Sequence, residues 1–118
     1  HGANSAAPQK IVEIVRGVDT PWCRTLPDFG NVPPGADESF RQKLLKTLFP
    51  YAHLVSAKGM WFDDQMQHVP YDIGECVRIG EASGYQGIYS AEHWDPKARP
   101  VDPFRVTQRI IKLIIANI

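Results

Sequence analysis

The sequence predicts an α/β fold in which three parallel strands alternate with four helices. Segments rich in strand-forming residues alternate with segments whose apolar residues recur at helical spacing. Each predicted strand is followed by a loop, a helix and a turn, an order typical of strand–helix units joined by right-handed crossovers. The strand ends fall near Asp28, Ser56 and Glu92. With 118 residues the chain has room for one core, so residues 1–118 are interpreted as a single domain.

The first third of the chain predicts one helix, one strand and one long loop. Ser5 is a suitable N-cap for a helix over residues 6–18, where isoleucine and valine share one face. Trp22–Leu26 follows as the first predicted strand and ends at Pro27. Residues 29–36 contain two glycines and two prolines, which indicates a loop.

The rest of the chain predicts two further strands and three helices. The second helix begins after Asp37 and stops at Pro50, and Ala52–Ala57 is the second predicted strand. The third helix covers residues 72–83, with Asp72 and Glu75 at capping-box spacing. Ile88–Ala91 is the third strand. The pair Asp102-Pro103 then indicates the start of a last helix that has a wide apolar face.

Composition and charge exclude several classes of function. The chain is 43% hydrophobic and 22% charged, as in ordinary globular proteins. Thirteen basic residues balance thirteen acidic ones, so we expect no nucleic-acid partner. No apolar run approaches the ~20 residues that span a bilayer, so we expect no membrane insertion.

The two cysteines, Cys23 and Cys76, indicate reduced thiols and a cytoplasmic protein. The chain starts at His1, and no charged-then-apolar leader follows. We therefore expect that it belongs to a longer protein or that an upstream segment has been removed.

Three polar residues mark the predicted strand ends. Asp28 and Glu92 lie at the ends of the first and third strands, and Lys58 lies just past the second. Function in parallel α/β folds collects at the carboxyl ends of strands, where loops leave the rigid sheet. We therefore expect these side chains to face one shared cavity. An aspartate in a Pro-Asp-x-Gly context is also typical of a turn whose carboxylate binds loop amides, and that interpretation of Asp28 stays open.

Four stretches carry a resemblance to a known family: HGANS, TLPDFGN, FPYAHLVSAK and YDIGECVRIGEASGYQGIYSAEH. In this order and spacing they resemble the C-terminal portion of sugar phosphate isomerase/epimerase proteins, of the xylose-isomerase-like TIM-barrel superfamily. The resemblance implies that the three strands and four helices form part of a (β/α)8 TIM barrel. Since three strands cannot close a barrel, we expect a partial barrel, with a compact open α/β sheet as the alternative.

The resemblance also implies a divalent metal, manganese, magnesium or zinc, at the carboxyl ends of the strands. Asp28 and Glu92 correspond to metal ligands of the family, and a further glutamate would lie upstream of His1-Gly2, outside this chain. Ser56 stands where the family often has a histidine. His53 would lie on the opposite face of the strand, so it does not replace that ligand. This departure predicts a weakened metal site.

The activity implied is sugar isomerisation or epimerisation, in which a proton is removed beside a carbonyl and a metal stabilises the enediolate. In this interpretation Glu92 is the catalytic carboxylate, Lys58 the catalytic cation that holds a substrate oxygen, and Trp61 or Trp94 stacks on the sugar. Whether the protein is an enzyme stays open, and the isolated chain is predicted to be inactive.

Two other functions are compatible with the resemblance. One is a non-catalytic homologue that binds a carbohydrate or regulates a partner through a degraded metal site, which Ser56 favours. The other is a phosphodiester-cleaving, endonuclease-like branch of the superfamily, which the neutral charge and the scattered histidines disfavour. The expected partners are a sugar or polyol and either a second copy of the chain or the missing part of the barrel.

Overall fold

Four α-helices and one two-stranded parallel sheet make up the computed structural model, which describes residues 7–118. The elements in chain order are α1 (Pro8–Val18), α2 (Glu38–Leu48), β1 (Leu54–Gly59), α3 (Ile73–Ala82), β2 (Ile88–His93) and α4 (Pro103–Ile115). A single 3₁₀ turn, Phe49–Tyr51, joins α2 to the segment before β1.

Side chains at the helix N-termini explain where three of the helices begin. The carboxylate of Asp37 accepts a hydrogen bond from the Phe40 N–H, and that of Asp72 accepts one from the Glu75 N–H. Asp102 caps α4 in the same way. Each bond satisfies a backbone donor that has no partner within its helix. The three predicted caps are therefore confirmed, whereas the cap predicted at Ser5 lies outside the described residues.

The partial TIM barrel with three strands is wrong, because the described chain forms only two strands and no barrel. The first predicted strand, Trp22–Leu26, is not a regular strand. Thr25 and Asp28 each form one isolated parallel bridge, to Ala52 and Ser56. The pairing offset shifts by one residue between these bridges, and Pro27 lies between them without an N–H to donate. The segment therefore runs beside β1 without joining a continuous ladder.

The other two predicted strands are present, with different ends. The second begins two residues later than predicted and extends to Gly59, and the third extends to His93. The two strands pair in parallel from Leu54↔Ile88 to Gly59↔His93. Residues near the carboxyl ends of both strands are thus brought together at one end of the sheet.

The core lies on one face of the sheet. Val55 and Ala57 of β1 are completely buried among apolar residues of three helices, including Leu45 of α2, Val77 of α3 and Ile110 of α4. Because side chains alternate along a strand, Ser56 and Lys58 point to the other face. The fold therefore places the polar residues of β1 on the face opposite the helical core.

Candidate functional site

The pairing of the two strands sets two of the predicted site residues side by side. Lys58 of β1 and Glu92 of β2 are register partners in the parallel sheet. Ser56, two residues before Lys58, lies on the same face of β1. Regular strand geometry thus brings a cation, a carboxylate and a hydroxyl to the carboxyl end of the sheet.

Asp28 reaches the same place from the loop beside β1. Its backbone bridges to Ser56, and its side chain is 9% exposed. Its Oδ1 accepts hydrogen bonds from the N–H groups of Gly30, at 2.8 Å, and Asn31, at 3.1 Å. These two hydrogen bonds are those of a turn-forming aspartate, the alternative interpretation of Asp28 from its Pro-Asp-x-Gly context. The other carboxylate oxygen remains for a different partner, so Asp28 serves both the turn and the cluster.

The ammonium of Lys58 joins the two predicted carboxylates. Its Nζ lies 2.9 Å from Asp28 Oδ2 and 3.1 Å from Glu92 Oε1, and it donates to Asn31 Oδ1 at 3.0 Å. The side chain of Lys58 is only 7% exposed. Burial alone lowers the pKa of Lys58, but hydrogen bonds to the two carboxylates and their charges outweigh it and raise the pKa above its usual value. Lys58 is therefore firmly protonated.

Glu92 is the solvent-facing member of the cluster, with its side chain 44% exposed. Its Oε2 accepts a hydrogen bond from Ser56 Oγ at 2.6 Å. Partial burial on its own raises the pKa of Glu92, but the Ser56 hydrogen bond and the Lys58 ammonium together lower it below its ordinary value. Glu92 is therefore ionised at neutral pH and is the carboxylate that a solute reaches first.

Two buried hydrogen bonds fix the backbone on which the cluster depends. The guanidinium of Arg41, in α2, donates to the Phe29 carbonyl, and the Tyr71 hydroxyl donates to the Lys58 carbonyl. Arg41 also lies over the Tyr71 ring, 4.0 Å from its centroid. These contacts tie the loop after Asp28 and the end of β1 to the helical layer.

Gly30 makes room for the lysine. A Cβ at this position would lie 2.8 Å from Lys58 Cδ and 3.3 Å from the Tyr71 hydroxyl, so a larger residue would displace the lysine stem. Four residues of the site were not predicted from the sequence: Gly30, Asn31, Arg41 and Tyr71. The only signal for Gly30 and Asn31 was their place beside Asp28 in TLPDFGN, and Arg41 resembles an ordinary surface residue of a helix.

The cluster does not fit the divalent metal that the resemblance implies. Both oxygens of Asp28 and both oxygens of Glu92 accept hydrogen bonds or ion pairs from protein groups. Ser56, at the position expected to carry a histidine, donates to Glu92. Within residues 7–118, no group of three or more His, Cys, Asp or Glu side chains is placed to hold a metal ion. The ammonium of Lys58 lies between the two predicted ligands, where a metal would have to bind.

His53 and His68 lie outside the cluster. His53 precedes β1 and is exposed. His68 accepts a hydrogen bond from the Met60 N–H at Nε2, and its Nδ1 lies 2.7 Å from the Tyr71 carbonyl oxygen. The pKa of His68 is lowered, and the largest cause is burial of its ring. His68 is therefore a neutral residue that orders the loop after β1.

The two tryptophans predicted to stack on a sugar, Trp61 and Trp94, differ in their relation to the cluster. Trp94, at 53% exposed, has the Lys58 ammonium 5.7 Å from its ring centroid. The ring of Trp61 is instead covered by the guanidinium of Arg99, 4.4 Å from its centroid. Of these two tryptophans, Trp94 is therefore the one that borders the cluster.

The cluster is largely covered, since Asp28, Ser56 and Lys58 are buried and Glu92 is the exposed member. A cleft of about 320 Å³ lies elsewhere, between α4 and the loop around Met66, and is lined by Gln65, Met66, Gln67, Arg105, Gln108, Arg109 and Lys112. None of the cluster residues lines it. The candidate site is therefore described by its charges and its hydrogen bonds.

No protein-family model matches the chain, and no curated protein matches it. Among residues 7–118, no helix combines the length and the apolar character needed to cross a membrane.

Proposed function

We propose that the chain carries the carboxylate–lysine site of a sugar isomerase or epimerase, with a sugar or polyol as substrate. The observation that supports this proposal is the position of Glu92, a half-exposed carboxylate held beside the buried ammonium of Lys58. Both lie at the carboxyl ends of parallel strands, where loops can cover a bound solute. The resemblance of TLPDFGN and its companion stretches points to the same chemistry.

In the proposed reaction, Glu92 accepts a proton from the carbon beside a carbonyl group. The C–H electron pair forms the carbon–carbon double bond of an enediolate, and the carbonyl π electrons move to the oxygen. Lys58 stabilises the negative charge on that oxygen, so the chain's own cation supplies the electrostatic stabilisation. Isomerisation returns the proton from Glu92 to the former carbonyl carbon, while the hydroxyl proton moves from one enediolate oxygen to the other. Epimerisation leaves the first proton on Glu92 and takes another from a second acid, such as a water molecule, on the opposite face of the same carbon.

A substrate must separate Glu92 from Lys58 before it binds. The two atoms are 3.1 Å apart, and Glu92 is half exposed, so solvent screens this pair. Exposed ion pairs contribute only about 0–1 kcal/mol, so a sugar hydroxyl or carbonyl oxygen can replace Glu92 on the ammonium at little cost. Asp28 remains on the opposite side of Lys58 and keeps the cation in place.

Trp94 is the proposed platform for the sugar ring. It borders the ammonium and exposes about half of its surface. Apolar C–H faces of sugars pack well on an aromatic ring whose edge remains hydrated. Trp61 is the weaker candidate of the two because Arg99 already covers its ring.

Carbohydrate binding without turnover is the second candidate. Every carboxylate oxygen of Asp28 and Glu92 already has a protein donor, which favours a recognition role over a reactive one. In this case the same side chains bind the hydroxyl groups of a sugar, and no proton leaves carbon.

We also propose that the chain works in association with another protein surface, in a reducing cytoplasm. Trp22, Phe104 and Ile115 are large apolar side chains that remain strongly exposed. Cys23 and Cys76 are free thiols, and burial raises the pKa of Cys76 to about 12. A second copy of the chain is the simplest partner for the exposed apolar residues, and analytical ultracentrifugation would test that association.

Solvent exchange at carbon separates the two candidate functions. The chain is incubated in D₂O with a panel of aldoses and ketoses, with and without phosphate groups, and loss of the proton beside the carbonyl is followed by ¹H NMR. The reactive role predicts deuterium incorporation that Glu92→Gln abolishes. It departs here from the expectation that the isolated chain is inactive, because in this proposal Lys58 and not a metal supplies the cation. Shifts of the Trp94 indole signal without deuterium incorporation support the binding role. If the chain shows no deuterium incorporation and no sugar binding, both proposals are contradicted.

A further inference from the structure

The cleft of about 320 Å³ between α4 and the loop after β1 holds a local excess of positive charge. Among the described residues, seven line it; three of them are basic and none is acidic. The basic residues are Arg105, Arg109 and Lys112. The whole chain has thirteen basic and thirteen acidic residues, so its net charge does not account for this excess. We call the space between these side chains the basic cleft.

The three basic side chains project from one face of α4. Arg109 lies four residues after Arg105, and Lys112 lies three residues after Arg109, which is the spacing that places helix side chains above one another. Residues 105 and 112 are separated by about 10 Å along the helix axis, at about 1.5 Å per residue. The basic cleft therefore presents its charge as a row and not as a point.

None of these three cations forms an ion pair within residues 7–118. Arg109 Nε donates to the Met66 carbonyl at 2.9 Å, and its Nη2 lies 3.4 Å from Gln67 Oε1, so both acceptors are neutral. On α3, in contrast, Arg78 pairs with two carboxylates. An arginine has five N–H donors, so Arg109 keeps both its charge and several N–H groups for a ligand.

The wall opposite α4 is a turn held by its own hydrogen bonds. Asp63 Oδ1 accepts hydrogen bonds from the N–H groups of Gln65, at 3.0 Å, and Gln67, at 2.8 Å. Met66 has a φ of 60°, in the left-handed region, and its carbonyl oxygen accepts the hydrogen bond from Arg109. Asp63 binds the backbone of this turn and does not line the cleft. The basic cleft is therefore formed before a ligand binds.

The side chains around the basic cleft suit a ligand with several phosphate oxygens. Guanidinium groups bind phosphate through two parallel N–H donors, and an ammonium binds it as a point charge. Glutamine amides, of which the cleft has three, add uncharged N–H donors. A single phosphate group carries about −1.5 to −2 at pH 7, which is less than the charge of three cations and is concentrated at one point. Two linked phosphates carry more charge over a greater length, and the cleft volume falls within the ~300–1,000 Å³ usual for small-molecule sites.

We propose that the basic cleft is a binding site for the diphosphate group of a small molecule. Arg105 and Lys112 hold the two ends of this group, and Arg109 holds its centre. The group belongs either to inorganic pyrophosphate or to a nucleoside diphosphate, since both present the same kind of oxygens to the cleft. This site is separate from the cluster at Lys58, whose residues do not line the cleft, and the inference does not depend on whether the chain acts on a sugar.

Isothermal titration calorimetry and ¹H–¹⁵N NMR test this site on the chain of 118 residues. Pyrophosphate, ADP and orthophosphate are titrated separately at an ionic strength of about 0.15 M, which screens non-specific attraction between exposed charges. The test variant is Arg105→Gln/Lys112→Gln. The matched control is Lys43→Gln/Lys46→Gln, which removes two exposed cations from α2 and so changes the net charge equally.

For the wild-type chain we expect one pyrophosphate site with a Kd below about 1 mM, and shifts of the side-chain amide signals of Gln65, Gln67 and Gln108. The test variant should bind at least about tenfold more weakly, because two charged hydrogen-bond donors are lost. The control should change Kd less than about twofold, because its two cations lie away from the ligand and are screened. Orthophosphate should bind at least about tenfold more weakly than pyrophosphate, because it reaches fewer of the three cations.

The ADP titration separates the two sources of the diphosphate group. ADP that binds at least as tightly as pyrophosphate assigns the site to a nucleotide, and weaker ADP binding assigns it to inorganic pyrophosphate.

Four results would overturn the inference. They are absence of pyrophosphate binding below about 1 mM, equal Kd values for the wild-type chain and the test variant, an equal loss of affinity in the control, and equal affinities for pyrophosphate and orthophosphate. If the test variant does not fold, the wild-type glutamine signals decide: shifts of Gln65, Gln67 and Gln108 support the site, and shifts confined to other residues overturn it.

Discussion

Replacing Lys58 by methionine is predicted to destabilise the chain by about 3–5 kcal/mol. Lys58 and Asp28 form a buried ion pair, with side chains 7% and 9% exposed and 2.9 Å between charged atoms. Removal of one partner from such a pair leaves an uncompensated buried charge, here the Asp28 carboxylate. Methionine keeps most of the apolar stem, so the loss reports the charge and not a cavity.

The two ion pairs of Lys58 contribute differently to the loss of stability, because the pair with Asp28 is buried and the pair with Glu92 is half exposed. The pair with Glu92 is half exposed and contributes about 0.2–1 kcal/mol. The pair with Asp28 therefore dominates the stability of the cluster. The double variant Lys58→Met/Asp28→Asn leaves neither charge buried alone, so it should be more stable than Lys58→Met, with a coupling energy of about 0.5–3 kcal/mol.

Urea unfolding followed by far-UV circular dichroism measures these free energies of unfolding. Asparagine at position 28 still presents an oxygen to the N–H groups of Gly30 and Asn31, so the loop contacts are matched between the variants. The reasoning is refuted if Lys58→Met costs less than Glu92→Gln, or if the losses of the two single variants simply add in the double variant.

Three other perturbations test the cluster and its surroundings. Glu92→Gln should lower the free energy of unfolding by about 0.2–1 kcal/mol at neutral pH. Because the folded pKa of Glu92 is lowered, this difference is present above pH 4.5 and fades as the pH falls below it. Urea titrations at pH 7 and pH 3 would show the change. Gly30→Ala should displace the Lys58 stem and destabilise the chain by about 1–3 kcal/mol. The control Gly17→Ala, where a Cβ meets nothing within 4 Å, should stabilise α1 by about 0.4–1 kcal/mol. Equal effects of the two variants in thermal melts would contradict the packing at Gly30. His68, whose pKa is lowered, should make the chain less stable as the pH falls below 6.5, and His68→Gln should remove that part of the pH dependence; identical pH profiles of the melting temperature would refute this role.

The local elements could be predicted from the sequence because each has its own chemical signal. Three aspartates precede segments with helical apolar spacing and accept hydrogen bonds from backbone N–H groups as predicted: Asp37, Asp72 and Asp102. The strand ends at Ser56 and Glu92 were close to their observed positions, since β-branched and small apolar residues alternate with polar ones there.

The first strand and the barrel could not be predicted in this way. Thr25 and Asp28 lie beside β1 as a strand would, but Pro27 lacks an N–H and the offset shifts between their bridges. A single proline between two strand-forming segments does not reveal from sequence whether pairing continues past it. The number of strands and the closure of a sheet depend on such long-range pairing.

The site was only partly predictable. That Asp28, Lys58 and Glu92 lie together follows from the rule that parallel strands place their carboxyl ends at one edge. That the lysine binds both carboxylates depends on a side-chain conformation. That conformation depends on the missing Cβ at Gly30 and on the oxygen of Asn31, which no spacing rule identifies.

The ¹H–¹⁵N NMR signal of the Lys58 side-chain ammonium tests most directly that this group is buried between the two carboxylates. An ammonium that donates to three oxygens and is almost fully buried exchanges slowly with water, so its signal should be visible at neutral pH and should shift in both Asp28→Asn and Glu92→Gln. A Lys58 ammonium that exchanges as fast as an exposed lysine, or that is unchanged in both variants, would contradict the account.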